Sequence, residues 1–188
     1  YLGGERLILE EIDTVLAKAN QALQTLQRYR SSLDEVLDRL NALEFDDLVT
    51  LGDLSDAVSR FEMMRRVNDE VDRFIAELGT EGRLVRMQAA ELSAHVADEY
   101  LLLLRDYSAD ATTRKAQSVR GQLAELTPDQ VRETVAVAET LVLGSDIESA
   151  DDHLSARGYS VLKRIPSLPS TVVNRIVERF GSLSEVLN

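Results

Sequence analysis

The sequence predicts an all-α protein, and three observations support this prediction. Aromatic residues make up only 5% of the 188 residues, with no tryptophan, nine glycines and three prolines. Alanine, leucine, glutamate, arginine and valine dominate, which is typical of helical proteins. The apolar residues also recur with helical spacing along most of the chain. With 44% hydrophobic residues, the chain can bury a sizeable core.

The first predicted helix has a heptad pattern. Its apolar residues follow alternating steps of four and three: Val15, Ala19, Ala22, Leu26, Tyr29, Leu33, Val36, Leu40 and Leu43. A helix of about 30 residues is roughly 45 Å long, which favours an elongated bundle or a subunit contact. Leu16, Leu23 and Leu37 widen the apolar seam to one side and are candidates for contact with a second subunit.

Two further helical regions are predicted before residue 107. One starts at 50–53 and ends at Gly79, and one of its faces carries Leu54, Val58, Phe61, Met64, Val71, Ile75 and Leu78. The short connection from the first helix predicts antiparallel packing. The other region runs from about Arg83 to Asp106, and its four consecutive leucines, 101–104, are expected to be deeply buried.

Polar residues at 108–113 predict a linker, followed by helices at about 114–126 and 128–143. Thr127 is the expected N-cap, with Pro128 at the first helical position. The acidic, polar residues 145–153 are interpreted as a hinge.

The C-terminal residues predict two short helices and the start of a third. Ser155 is the expected cap of a helix from Ala156 to Lys163, which Pro166 ends. A second helix runs from Pro169 to Phe180, and Gly181 ends it. The residues 182–185 form a capping-box pattern that opens another helix.

Charge divides the chain unevenly. The net charge is −12, yet residues 155–188 hold five basic and two acidic residues, so the negative charge lies in residues 1–154. An acidic body with a basic end indicates two units with different roles.

Few residues offer catalytic or metal chemistry. There is no cysteine, and the two histidines, His95 and His153, lie far apart and are interpreted as ordinary surface or helix residues. The acidic pairs at 46–47 and 151–152 lack the spacing of a cation-binding loop. We therefore expect no catalytic residue and no metal site. No apolar run approaches the roughly 20 residues that span a bilayer, and no signal peptide is recognised, so a cytoplasmic location without membrane contact is expected.

The segment IPSLPSTVVNRIVERFGSLSEVLN, residues 165–188, resembles the first half of a tandem helix-hairpin-helix domain of the RuvA-like type. In that family a hairpin of the form Ile-Pro-Gly-Ile-Gly offers backbone N–H groups to a DNA phosphate. The matching residues are Ile165, Pro166, Ser167, Leu168 and Pro169, so both glycines are replaced. Pro169 has no N–H to donate.

Longer blocks resemble the DisA family of bacterial DNA integrity scanning proteins. The blocks occur in the family's order: AKANQALQTLQRYRSSLDEV (17–36), DLVT (47–50), FEMMRRV (61–67), ELGTEGRL (77–84), RDY (105–107) and LSARGYSVLKRIPSLP (154–169). The resemblance implies a diadenylate cyclase domain, a helical linker and a C-terminal DNA-binding domain. On this plan, residues 1–10 match the last cyclase strand, 11–144 the linker bundle, 145–153 the hinge and 154–188 a partial helix-hairpin-helix unit. The family's Asp-Gly-Ala and Arg-His-Arg catalytic motifs do not occur in these residues.

The resemblance implies a function in a bacterial DNA damage and repair checkpoint. These residues would not be an enzyme themselves; they would couple the sensing of branched DNA to synthesis of cyclic di-AMP from two ATP molecules, with Mg or Mn required only by the cyclase domain. The family also implies octameric self-association and a nucleoid-associated location. Candidate DNA contacts are Arg157, Lys163, Arg164, Ser167, Leu168, Arg175 and Arg179. The alternative is a helical oligomerisation or scaffold module without DNA binding of its own.

Overall fold

The protein is described by a computed structural model that covers residues 2–141, 143, 147 and 149–188. Ten α-helices and one 3-10 helix make up these residues: α1 Leu2–Phe45, α2 Leu51–Leu78, the 3-10 helix Gly79–Gly82, α3 Arg83–Ser93, α4 Val96–Tyr107, α5 Thr113–Glu125, α6 Pro128–Arg132, α7 Thr134–Leu141, α8 Tyr159–Lys163, α9 Ser170–Phe180 and α10 Leu183–Leu187. The fold is therefore all-α, as predicted. No helix in the described part of the chain is long and apolar enough to cross a bilayer.

Helix α1 confirms the heptad prediction. The helix itself begins at Leu2, well before the first heptad residue, Val15. The buried residues of the seam are Ala19, Ala22, Leu26, Leu33 and Leu40. The strand expected at residues 1–10 is not observed, because Leu2–Glu10 form the first turns of α1. A strand needs a partner for its backbone groups, whereas a helix pairs those groups within the segment. Two of the three leucines predicted as candidates for contact with a second subunit, Leu23 and Leu37, are buried within this chain. Their side chains are therefore not exposed for such a contact.

Helix α2 follows the predicted bounds, and every residue of its predicted face is buried. Its start is capped reciprocally, because the Asp53 carboxylate accepts from the Thr50 N–H while the Thr50 hydroxyl accepts from the Asp53 N–H. Arg39, near the end of α1, contacts Asp56, near the start of α2, at 3.2 Å. That contact fits the predicted antiparallel pairing.

Two predicted helices are each interrupted once. The region from Arg83 to Asp106 breaks at His95, whose φ of 66° is left-handed. No glycine or proline marks this position, so local sequence gave no signal for it. The helix predicted from Pro128 breaks at Glu133, which is extended. Of the four consecutive leucines, Leu103 and Leu104 are buried and the other two are half-buried.

Two compact units divide the described residues differently from the predicted linker and C-terminal domain. The first unit combines residues 2–32 and 63–94, and the second combines residues 33–62 with 95–188. In the first unit, the Ser93 hydroxyl donates to Asn68 at 2.7 Å and joins α3 to α2. Gly82 approaches α2 so closely that a Cβ there would lie 3.1 Å from Leu78.

The second unit contains the C-terminal helices together with α4 and parts of α1 and α2. The rings of Phe61 and Tyr100 stack at 4.5 Å between centroids, and the Tyr100 hydroxyl donates to the buried Glu62. A smaller core of Tyr159, Leu162, Val173 and Val177 holds α8 against α9. Residues 154–188 therefore belong to the same unit as part of the predicted linker bundle.

The predicted hinge at 145–153 lies partly outside the described residues, since 145, 146 and 148 are not described. Its described end is fastened by the backbone. The Leu51 N–H donates to the Asp152 carbonyl at 2.9 Å, the Gly52 N–H donates to the Ala150 carbonyl at 2.8 Å, and the Leu154 N–H donates to the Val49 carbonyl at 2.8 Å. These hydrogen bonds join residues 150–154 to the start of α2.

Candidate functional site

The junction between α4 and α8 centres on Asp106, a fully buried residue in the last turn of α4. Its carboxylate accepts backbone N–H groups from Gly158 at 3.0 Å, Tyr159 at 2.7 Å and Ser160 at 3.1 Å. These amides belong to the first turn of α8, where no intrahelical acceptor is available. The α4 side chain therefore caps α8, whereas the predicted cap Ser155 lies outside that helix.

Burial and hydrogen bonding act in opposite directions on Asp106. Removal from water raises the pKa of its carboxyl, and the amide donors from Ser160, Tyr159 and Gly158 limit that rise. A buried carboxylate with three amide donors holds its neighbours in fixed geometry, because any displacement leaves polar groups unsatisfied. Gly158 permits this approach by taking a φ of 113°, where a side chain would be strained.

Arg157, just before α8, makes the reverse contact of the junction, from the α8 side to the end of α4. Its guanidinium donates to the Arg105 and Ser108 carbonyls at 2.7 Å and to the Ala109 carbonyl at 3.3 Å. Carbonyls at the end of a helix lack intrahelical partners and attract cations. Arg157 was predicted to contact DNA, but the structure directs its donors to the end of α4.

Arg105 adds a stacking contact between the same two helices. Its guanidinium carbon lies 3.9 Å from the centroid of the Tyr159 ring, and its Nε donates to the Ala111 carbonyl at 2.8 Å. A cation above an aromatic face is attracted by the ring quadrupole. The junction thus has three parts: Asp106 caps the start of α8, Arg157 binds carbonyls at the end of α4, and Arg105 stacks on Tyr159. The sequence block RDY includes two of its residues, but nothing local revealed their role.

The other basic residues among the predicted DNA contacts lie at the end of α8 and along α9. Lys163 is exposed and donates to the Ser170 hydroxyl at 2.7 Å, and the exposed Arg164 donates to Asp38 of α1 at 3.1 Å. Arg175 and Arg179 are exposed and lie one helical turn apart on α9. The structure brings these four cations into one helical pair.

The two other predicted contacts differ in exposure. Ser167 is exposed and takes a φ of 69°. This is the left-handed region that glycine favours, and Ser167 occupies the place of the first glycine in the resembled hairpin. Leu168 is half-buried and packs against the core that joins α8 to α9, so its side chain is committed to that core.

The two histidines have separate surroundings in the structure. Nε2 of His153 lies 2.7 Å from the Asp47 carbonyl oxygen, and His95 marks the helix break. Among the described residues, no group of three or more histidine and carboxylate side chains could hold a metal ion.

Comparison with known proteins identifies the family. Residues 9–150 match the family model described as the DisA bacterial checkpoint controller linker region. Over its whole length the chain is similar to proteins named DNA integrity scanning protein DisA, with 46% identity to that of Symbiobacterium thermophilum, 41% to that of Streptomyces griseus and 38% to that of Carboxydothermus hydrogenoformans. It covers 52%, 51% and 53% of these relatives, respectively, and so spans about half their length. The chain belongs to the DisA family and contains its linker region.

Proposed function

We propose that this chain couples DNA sensing to nucleotide cyclisation in a DisA-type protein. By family resemblance, the cyclase would be another domain that joins two ATP molecules into cyclic di-AMP with Mg or Mn. The residues described here would provide the mechanical connection to the DNA-sensing end. The observation that carries the proposal is the Asp106 cap, because it fastens the first C-terminal helix directly to the linker.

The route of coupling passes through side chains that join separate helices. Asp106 and Arg157 tie α4 to α8, and the small core of Tyr159, Leu162, Val173 and Val177 ties α8 to α9. A change in the position of α9 on DNA would therefore be transmitted to α4 instead of being absorbed by a flexible linker. The fastened residues 149–153 support the same conclusion.

The proposed DNA contacts are Lys163, Arg164, Arg175 and Arg179, with the backbone around Ser167 as a further donor. Each cation that neutralises a phosphate releases counterions and steepens the salt dependence of binding by about one unit. Arg157 is left out of this set because carbonyls at the end of α4 occupy its guanidinium. The acidic remainder of the chain opposes DNA, which favours contact only at this end.

A pair of matched variants tests the DNA contact. In Arg175→Ala/Arg179→Ala, we expect the affinity for a four-way DNA junction to fall by about five- to tenfold and the salt slope to decrease by about two. Arg83→Ala/Arg86→Ala removes the same charge from the exposed surface of α3 and serves as the control. Equal losses in both pairs, measured by fluorescence anisotropy, would contradict a specific contact through α9.

Coupling is tested in a full-length family member that carries the Asp106→Asn change. In the variant, one carboxylate oxygen becomes an NH₂ group, which cannot accept from the backbone N–H groups of α8. The cap at the start of α8 is therefore weakened. We expect cyclic di-AMP production without DNA to persist and its response to branched DNA to be reduced. A normal response to DNA in a folded variant would exclude the Asp106 route.

A second candidate function is self-association, and exposed apolar residues on α1 favour it. Leu7, Ile8 and Leu9 are 67%, 59% and 61% exposed, respectively. Several large apolar side chains exposed on one helical turn favour a contact more than a single exposed one does. Sedimentation velocity of the chain and of Ile8→Glu tests this candidate. A lower oligomeric state in the variant supports it, and an unchanged monomer in both excludes it.

A further inference from the structure

A cavity of about 280 Å³ lies in the second unit, bounded by α1, α4 and the end of α8. This volume is just below the roughly 300–1,000 Å³ of typical small-molecule pockets, which limits the occupant to a small ligand. Its apolar wall is provided by Leu37, Leu40, Leu102 and Leu103. Such a wall accepts the hydrocarbon part of a ligand.

The same cavity is lined by Glu44, whose side chain is only 3% exposed. Its Oε1 accepts a hydrogen bond of 2.8 Å from the Tyr107 hydroxyl. Its Oε2 is buried and has no hydrogen-bond partner among the described residues. A buried polar atom without a partner is uncommon, and it favours a donor that a ligand can supply.

The charges around the cavity favour a cationic ligand over an anion. Asp98 and Glu99 of α4 add negative charge to the wall. The wall thus carries three carboxylates, with Glu44, against the two cations Lys163 and Arg164, and Arg164 also pairs with Asp38 outside the wall. A cation placed beside Glu44 would compensate a charge that burial otherwise disfavours.

We infer that this cavity binds a small primary amine with a compact hydrocarbon body, with the ammonium group beside Glu44 and the hydrocarbon against the four leucines. Two of the DNA contacts proposed above, Lys163 and Arg164, also line this cavity, but the inference does not depend on DNA binding. Because its walls come from α1, α4 and the end of α8, an occupant would contact the helices that meet at the Asp106 junction.

Burial raises the pKa of Glu44 to about 8, so the side chain is largely protonated at neutral pH in the empty cavity, and a neighbouring ammonium group would favour the ionised form that accepts its hydrogen bond. The pKa of Glu44 is also raised by Asp106 and lowered by Tyr107 and Arg164. The other charged or titratable groups of the cavity are His95, Asp98, Glu99 and Lys163. Binding is therefore best measured at pH 8.5, where Glu44 is mostly ionised and a primary amine remains cationic.

Three probes of matched shape test the inference: cyclohexylmethylamine, cyclohexylmethanol and cyclohexanecarboxylate. Binding to the full chain is followed by amide chemical shifts. We expect the amine to bind at least tenfold more tightly than the alcohol, to shift amides at 37–44 and 98–103, and the carboxylate not to bind. Equal affinities for amine and alcohol, preferential binding of the carboxylate, or shifts confined to other residues would overturn the proposal.

Two variants separate the carboxylate from the cavity itself. Glu44→Gln keeps an acceptor for Tyr107 and removes the charge, so the preference for amine over alcohol should fall below twofold; a preserved preference would overturn the role of Glu44. Asn41→Phe fills the cavity from its rim and should abolish binding of both probes. If Glu44→Gln does not fold, the inference is tested by the amine and alcohol affinities of the wild type and by Asn41→Phe. Amine binding that persists in Asn41→Phe would place the probe outside this cavity and overturn the inference.

Discussion

The Tyr107 hydroxyl donates a hydrogen bond of 2.8 Å to Glu44 Oε1, and both side chains are buried between α4 and α1. Tyr107 adjoins Asp106, so two neighbouring residues of α4 connect to α1 and to α8, respectively. Burial, the nearby Asp106 carboxyl and the bond to Glu44 all raise the pKa of Tyr107 well above its ordinary value. The tyrosine therefore stays a hydrogen-bond donor throughout the physiological range.

The pKa of Glu44 predicts that the protein becomes less stable as pH rises. Burial raises this pKa from 4.5 to about 8, so the folded state holds a proton that the unfolded state releases. The free energy of unfolding should therefore fall between about pH 5 and pH 8, with a slope of at most about 1.4 kcal/mol per pH unit from this group. The raised pKa of Asp106 acts with the same sign.

Urea unfolding at several pH values measures this slope. Glu44→Gln should flatten it, because a side chain that does not titrate cannot bind a proton differentially. An identical slope in the variant would show that Glu44 does not cause the pH dependence.

Asp106→Ala should destabilise the second unit by about 2–4 kcal/mol, because three amides of α8 lose their acceptor in a buried site. Asp110→Ala removes a carboxylate from the exposed linker and is the matched control, with an expected loss of about 1 kcal/mol or less. Chemical denaturation measures both changes. Comparable small losses would mean that water replaces the Asp106 carboxylate without cost.

Leu33→Asp should unfold the chain or cost more than about 3 kcal/mol. Leu33 is completely buried in α1, and an unpaired charge at such a position is strongly disfavoured. Ser31→Asp adds the same charge at an exposed position of the same helix and should leave the thermal melt nearly unchanged. A circular dichroism melt of Leu33→Asp that matches wild type would refute the heptad seam.

Arg164→Ala should have little effect on the thermal melt. Its contact with Asp38 joins two exposed side chains, and such ion pairs contribute between 0 and about 1 kcal/mol. A large loss of stability would show that Arg164 stabilises the fold beyond this contact, which would make it unsuitable as a variant for DNA binding.

Thr127→Ala should cost about 1 kcal/mol, because Thr127 and Gln130 form a reciprocal capping box at the start of α6. Pro128, the next residue, has no N–H, and the Thr127 hydroxyl accepts a hydrogen bond from the Gln130 N–H further along the helix. Differential scanning calorimetry detects the expected drop in melting temperature. Thr113→Ala, at an exposed position of α5, provides the comparison.

Sequence patterns predicted features that depend on neighbouring residues. The heptad seam of α1, the apolar face of α2 and the Thr127 cap follow from periodicity and local hydrogen bonding, and the structure confirms all three. The family was also recognisable, since its blocks extend over most of the chain. The candidate DNA contacts remain a prediction, and the structure shows that the side chains of Arg157 and Leu168 also make contacts within the chain.

Tertiary structure decided the features that join distant segments. Asp106 reaches amides more than fifty residues away, residues 149–154 dock at the start of α2, and the C-terminal helices share a unit with part of α1. Local sequence could not indicate these contacts, because a buried carboxylate looks like a surface residue of an amphipathic helix until its partners are known. The sequence by itself determined where most helices form, since turns and caps are short-range. Only the folded chain determined which helix ends meet, because that depends on burying polar groups with their partners.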